Sequence, residues 1–147
     1  MKLAKIKNSV LAASAIAAVC GAGVVSAHTA SGTLGTAATA TDLYYVTCDN
    51  AGGTTAKLQV SVRDNAPVAA PLVSVTAIKG LKAGSTTDTT DGNATGSAPV
   101  TVAGTAGVFY VAVTKSAAGA ESYTADFHCM TSTNAHTGTA ASLKQNQ

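Results

Sequence analysis

Residues 104–129 read GTAGVFYVAVTKSAAGAESYTADFHC, and the fold prediction rests on this stretch. Two segments in it carry apolar side chains at every second position. These are Phe109, Val111 and Val113 in the first segment, and Tyr123, Ala125, Phe127 and Cys129 in the second. Period-two alternation is typical of β-strands that bury one face. Because the intervening residues 115–121 contain Ala-Ala-Gly-Ala, the stretch predicts a β-hairpin closed by a short loop.

Alternation of the same kind recurs along most of the chain, and no segment shows helical periodicity. Residues 80–97, GLKAGSTTDTTDGNATGS, lack any periodicity and predict a long loop. The sequence therefore predicts an all-β domain, a single antiparallel β-sandwich (jelly-roll-like or immunoglobulin-like) of about seven to eight short strands. Besides those of the hairpin, strands are expected at 42–48, 56–63, 72–79 and 99–103, with room for a last one at 138–143.

The N-terminus has the pattern of an export signal. Three lysines precede an apolar run at 10–19, and Val25-Ser26-Ala27 fits a cleavage site. We expect residues 1–27 to be a cleaved signal peptide and the protein to be secreted or periplasmic. One alternative is a membrane anchor, although the run is shorter than the roughly 20 residues of a span. The other is lipidation at Cys20, which the bulky Val19 before it disfavours.

Charge and length limit the class of partner. The whole chain has a formal charge of +2, but three of its nine basic residues lie in the signal. The remainder has six basic and seven acidic residues, a balance that favours neither nucleic acid nor anionic lipid as a partner. Residues 28–41, HTASGTLGTAATAT, are low in complexity and have little to bury, so they predict an extended N-terminal arm that could include one edge strand. The length of the remainder predicts one domain, at 42–147, with a polar C-terminal tail.

Cysteine usage agrees with export. Removing Cys20 with the signal leaves Cys48 and Cys129, and an exported chain with two cysteines most simply forms one disulfide. On the loop-entropy model, a bridge over this separation contributes on the order of 4 kcal/mol. Two free thiols or a pair of metal ligands are the alternatives.

Three segments carry a resemblance to a known family: Asp42-Leu43-Tyr44, the run 106–113 (AGVFYVAV) and the run 123–127 (YTADF). Their order resembles the bacterial pre-peptidase C-terminal domain, and the similarity covers about residues 41–129. The resemblance implies a jelly-roll-like accessory module of secreted enzymes. Such a module is linked to secretion or substrate binding and is not itself catalytic.

His28 would become the N-terminal residue after cleavage behind Ala27. Its amino group and its ring nitrogen would then form a chelating pair of the kind that suits Cu(II). His128 or His136 could complete the site, with Asp126 orienting the His128 ring from the same strand face. The alternative is an N-terminal arm with no role in metal binding.

A second, weaker metal prediction concerns the sequence Asp88-Thr-Thr-Asp91-Gly-Asn. Asp88 and Asp91 offer carboxylate oxygens, which Ca²⁺ prefers. The spacing lacks the alternation and the final Glu of a strong calcium loop, so a polar turn is the alternative. Beyond Cu(II) and Ca²⁺ the sequence predicts no cofactor.

Catalytic motifs are absent from the sequence: it contains no Gly-x-Ser-x-Gly, His-Glu-x-x-His or phosphate loop. We therefore predict a protein that is not an enzyme. The main hypothesis is an exported binding or surface-structural module whose ligand is a glycan, another extracellular protein or a copy of itself. One alternative is a copper-binding or other transition-metal-binding protein outside the cytoplasm. The other is a self-assembling filament or surface-layer subunit whose arm adds a strand to a neighbour's sheet.

Overall fold

The computed structural model describes residues 28–68 and 71–147, so the expected signal peptide and its cleavage site lie outside the described residues. Within these ranges the secondary structure consists of nine β-strands, and there is no helix long and apolar enough to cross a membrane. The strands are β1 (His28–Leu34), β2 (Asp42–Cys48), β3 (Lys57–Ala66), β4 (Val73–Lys79), β5 (Lys82–Thr87), β6 (Val100–Ala103), β7 (Gly107–Lys115), β8 (Glu121–Met130) and β9 (Thr139–Gln145).

The strands form two antiparallel sheets that pack face to face. The four-stranded sheet has the order β1-β8-β3-β6, and the five-stranded sheet has the order β5-β4-β7-β2-β9. The core lies between them and is filled by the alternating apolar positions that the sequence displays, among them Leu58, Phe109 and Phe127, all fully buried. The predicted all-β antiparallel sandwich is therefore confirmed, with nine strands instead of seven or eight.

The hairpin predicted for residues 104–129 is wrong, although both of its strands form. β7 pairs with β2 and β4, whereas β8 pairs with β1 and β3 in the opposite sheet. The connection between them thus crosses from one sheet to the other instead of closing a hairpin. The alternation of apolar residues cannot distinguish a hairpin within one sheet from a connection between two sheets. Both place one apolar face of each strand against the same core.

The expected long loop at 80–97 is also partly wrong, since β5 lies within it. β4 and β5 form a tight hairpin in which Gly80 has a φ of +59°, a conformation that favours glycine. The β5 side chains are mostly exposed and bond to β4 through hydroxyl groups, as in the 2.7 Å contact between Ser74 and Thr87. A strand that buries neither face has no apolar alternation by which to be recognised.

The N-terminal arm contributes an edge strand. β1 pairs with β8 from His28 opposite Phe127 to Leu34 opposite Glu121. Leu34 is fully buried, so the arm takes part in the core of the sandwich.

The predicted disulfide between Cys48 and Cys129 is confirmed. It joins β2 of the five-stranded sheet to β8 of the four-stranded sheet, with the two Cα atoms 5.6 Å apart. Both cysteines are buried, so the bridge crosses the core and ties the two sheets together.

Candidate functional site

A polar cleft of about 300 Å³ lies on the outer face of the four-stranded sheet. Its floor is formed by β1, β3 and β8, and one wall is the segment 94–97 between β5 and β6. The residues that line it are Thr29, Ser61, Val62, Arg63, Ala94, Thr95, Gly96, Ser97, Thr124 and Asp126.

Strand register places the polar side chains of the floor together. Asp126 of β8 lies between Thr29 of β1 and Ser61 of β3, and the neighbouring pair is Arg63 opposite Thr124. Directly opposed residues project from the same face of a sheet. Because the alternate positions of these strands fill the core, these five side chains point outward.

Hydrogen bonds hold the charged groups of the cleft in place. The Thr29 hydroxyl donates to Asp126 Oδ1 at 2.6 Å. Arg63 Nε donates to Asn65 Oδ1 at 2.8 Å, and the Asn65 amide donates to the Thr124 hydroxyl at 3.0 Å. The guanidinium and the carboxylate are therefore oriented before a ligand arrives, which lowers the entropic cost of binding.

The wall of the cleft is bonded to its floor. The Ser97 amide donates to the Val62 carbonyl at 2.8 Å, and the Val62 amide donates to Ser97 Oγ at 3.0 Å. Gly96 has a φ of +66°, and a Cβ there would lie 3.0 Å from the same carbonyl. A glycine is thus needed for the segment to approach β3 this closely.

Sequence reasoning missed this cleft. The outward positions of β3 and β8 were visible as the polar half of the alternation, and they included Arg63 and Asp126. Their proximity to residues 94–97 was not visible, because no local pattern ties that aperiodic segment to β3.

Of the three histidines predicted to bind copper, the fold brings two together. The rings of His128 and His136 are in edge-to-face contact with their centroids 4.9 Å apart. His28 is paired with Phe127, so it shares the face of β8 that points to the core, whereas His128 projects from the opposite face. A three-histidine copper site stays a prediction, and the adjacent pair is the part of it that the fold assembles.

The environment of His128 favours its neutral ring. Burial lowers the pKa of His128, the nearby His136 lowers it further, and Asp126 opposes them by raising it. His128 Nδ1 is buried and has no hydrogen-bond partner among the described residues. A neutral imidazole is the form that binds metal ions.

The predicted calcium residues lie at one end of the sandwich. Both Asp88 oxygens accept backbone hydrogen bonds, Oδ1 from Thr90 N and Oδ2 from Asp64 N, each at 3.0 Å. The fold adds Asp64 and Glu121, whose carboxylates are buried and which sequence reasoning missed. They could have been found, since Asp64 continues the buried alternation of β3 and Glu121 begins that of β8.

Across the described ranges, no group of three or more His, Cys, Asp or Glu side chains is placed so that it could hold a metal ion. Comparison with known proteins adds no identity, as no protein-family model, curated protein or solved structure matches the chain. The resemblance to the pre-peptidase C-terminal domain therefore stays a prediction, and function is argued from the geometry.

Proposed function

We propose that this protein is an exported, non-catalytic binding module that takes a saccharide unit of a surface glycan in the cleft on the four-stranded sheet. The observation that carries the proposal is the juxtaposition of Arg63 and Asp126 with hydroxyl side chains in a cleft of about 300 Å³. That volume lies at the small end of ligand pockets and suits one or two sugar rings.

The lining matches the chemistry of a sugar. Each sugar hydroxyl both donates and accepts a hydrogen bond; the Arg63 guanidinium only donates, the Asp126 carboxylate only accepts, and serine and threonine do both. Arg63 also offers a planar fork of donors that pairs with a carboxylate. An acidic sugar, such as a uronic acid, is therefore the favoured ligand.

The test is a titration of neutral and uronic-acid disaccharides into the protein, followed by calorimetry and by saturation-transfer NMR. Arg63→Gln should weaken uronic-acid binding by about tenfold or more, since a charge-assisted hydrogen bond is lost. Lys82→Gln is the matched control, because it removes one positive charge from an exposed position on the other sheet. No saccharide binding, or equal affinity in Arg63→Gln and wild type, would refute the proposal.

Self-association is the second candidate function, and the outer face of the five-stranded sheet favours it. Ile78, Tyr110 and Tyr45 lie in one cross-strand row, with Ile78 40% and Tyr110 46% exposed. An exposed apolar row of this kind is typical of a contact surface. Copies would meet through this face, because β1 is already paired within its own sheet.

Light scattering over a concentration series tests this second function. Association through the row should weaken in Tyr110→Ser and persist in Lys82→Gln. A wild-type protein that is monomeric at every concentration would exclude it.

A further inference from the structure

The segment 88–97, which follows β5, is attached to β3 by hydrogen bonds at both of its ends. The Asp64 amide donates to Asp88 Oδ2 at 3.0 Å, and the Gly92 amide donates to the Asp64 carbonyl at 3.2 Å. Farther along, the Ser97 amide donates to a β3 carbonyl at 2.8 Å. The first attachment therefore lies at Asp64, and the last one lies in the wall of the cleft.

At the first attachment, the side chain of Asp64 lies next to that of Glu121 at the start of β8. Both side chains are buried, and the two carboxyl groups are hydrogen-bond partners. Asp64 Oδ2 also accepts from Val73 N at 2.9 Å, whereas Asp64 Oδ1 and both Glu121 oxygens receive no hydrogen bond from any other group in the described part of the chain. A hydrogen bond between two carboxyl groups requires a proton, so the pair shares one.

The segment places a third carboxylate, that of Asp91, against this pair. Both Asp91 oxygens are buried, and neither has a hydrogen-bond partner among the described residues. Burial raises the pKa of Asp64 to about 6, and the charges of Asp91 and Asp88 raise it further. Burial also raises the pKa of Glu121, as do the charges of Asp64 and Asp91. The closed position of the segment therefore favours the protonated pair.

Positive charge near the pair comes from Lys115 of β7. It lowers the pKa of Glu121 against the larger effect of burial, but its ammonium group donates to two backbone carbonyls and not to a carboxylate. β1 contributes Leu34 beside Glu121, and β4 contributes the Val73 amide, and neither of these groups is charged. Loss of the shared proton would thus leave adjacent negative charges without a direct ion pair.

We propose that the proton shared by Asp64 and Glu121 holds the segment 88–97 against β3, and that its loss at higher pH favours release of the segment and opening of the cleft wall. The proton goes to water, and the three neighbouring carboxylates then repel each other. Asp91 is the one that can move away, because it lies on a loop whereas the other two lie on paired strands. Its movement into water would draw Gly92 away from β3.

The effect on the cleft rests on the saccharide function proposed above, whereas release of the segment does not. Gly96 and Ser97 belong to the segment and line the cleft, while Arg63 and Asp126 remain on paired strands. The release is therefore measured first on the protein without a ligand.

Hydrogen exchange followed by NMR at the amides of Gly92 and Ser97 measures the release. If the pKa of Asp64 returns from about 6 to 3.8 when the segment opens, the opening equilibrium rises by about tenfold between pH 5 and pH 7. Protection factors, corrected for intrinsic exchange rates, should fall by the same factor. The control is the Gly53 amide, which donates to the Asn50 carbonyl in the loop before β3 and should keep its protection.

The matched variant is Asp64→Asn with Glu121→Gln, which replaces the pair by neutral amides of the same shape. Protection at Gly92 and Ser97 should not change with pH in this variant, and circular dichroism establishes that it is folded. Wild-type protection that is equal at the two pH values, or that falls equally at Gly53, would overturn the proposal. An equal fall in the double variant would also overturn it, since another group would then titrate.

A uronic-acid disaccharide tests the connection to the cleft. At ten times its Kd and pH 7, the ligand should raise the protection of Ser97 by about tenfold, because it binds the closed form. Binding without this increase would overturn the connection between the segment and the site. No binding at all would refute the saccharide function and not the release, which the exchange measurement on the free protein decides.

Discussion

Two tyrosine hydroxyls and one carboxylate form a polar chain through the core. Tyr123 of β8 donates to Asp42 Oδ2 at 2.6 Å, and the Tyr44 hydroxyl of β2 donates to the Tyr123 oxygen at 2.8 Å. Burial raises the pKa of both tyrosines, so they remain neutral donors. These hydrogen bonds connect the two sheets. The backbone amide of Gln147 adds a further one by donating to Asp42 Oδ1 at 2.9 Å.

Tyr123→Phe should lower the free energy of unfolding by about 1–3 kcal/mol, because the Tyr44 hydroxyl and Asp42 Oδ2 would each lose a buried partner. Urea denaturation at neutral pH measures the change. Tyr110→Phe is the control, since its hydroxyl lies on an exposed ring and should shift stability by less than about 0.5 kcal/mol. Equal stability of Tyr123→Phe and wild type would show that these buried hydrogen bonds contribute nothing to the free energy of unfolding.

The burial of an individual side chain could be predicted only where that residue follows the alternation of apolar and polar positions. The buried positions of Tyr44, Tyr123 and Phe127 were apparent from period two. The bond between Tyr123 and Asp42 was not, because it joins residues 81 apart whose proximity depends on how the sheets stack.

At the scale of the strands, the disulfide joins β2 of one sheet covalently to β8 of the other. Replacing both cysteines by alanine, Cys48→Ala with Cys129→Ala, should lower the free energy of unfolding by on the order of 4 kcal/mol, since the open chain gains entropy when unfolded. Denaturant titration of the double variant against oxidised wild type measures this loss. Wild type unfolded in reductant is the control and should resemble the variant; a loss below about 1 kcal/mol would contradict the expectation.

The strands also show which features the alternation pattern predicts and which it does not. The strand positions of β2, β4 and β7 were predicted nearly to the residue, because each buries one face. β5 was missed because it buries neither face. The pairing of β7 was wrong because alternation specifies which face is buried and not which strand lies alongside.

For the molecule as a whole, the buried carboxyl groups of Asp64 and Glu121 predict that the free energy of unfolding falls as the pH rises. Burial raises the pKa of Asp64 from 3.8 to about 6, so the folded state binds more protons than the unfolded state in this range. The stabilising contribution is full below about pH 4 and is lost as the pH rises through 6. The loss for Asp64 is on the order of 3 kcal/mol, with Glu121 acting in the same direction.

Denaturant titrations from pH 4 to 8, on wild type and on the double variant Asp64→Asn with Glu121→Gln, measure this effect. Wild type should lose stability relative to the variant as the pH rises, because the variant cannot ionise at these positions. His128 acts in the opposite direction in both proteins and therefore cancels in the difference. Parallel curves for the two proteins would contradict the expectation.

The linear sequence was enough to establish an all-β sandwich and the Cys48–Cys129 bridge, because burial of one strand face and cysteine parity are local or compositional properties. Tertiary structure alone determined the sheet in which each strand lies and the cleft around Arg63. It also determined that Asp64 lies close to Glu121 and Asp91. These features bring together residues far apart in the chain. Their proximity arises from the stacking and register of two sheets, which no local periodicity encodes.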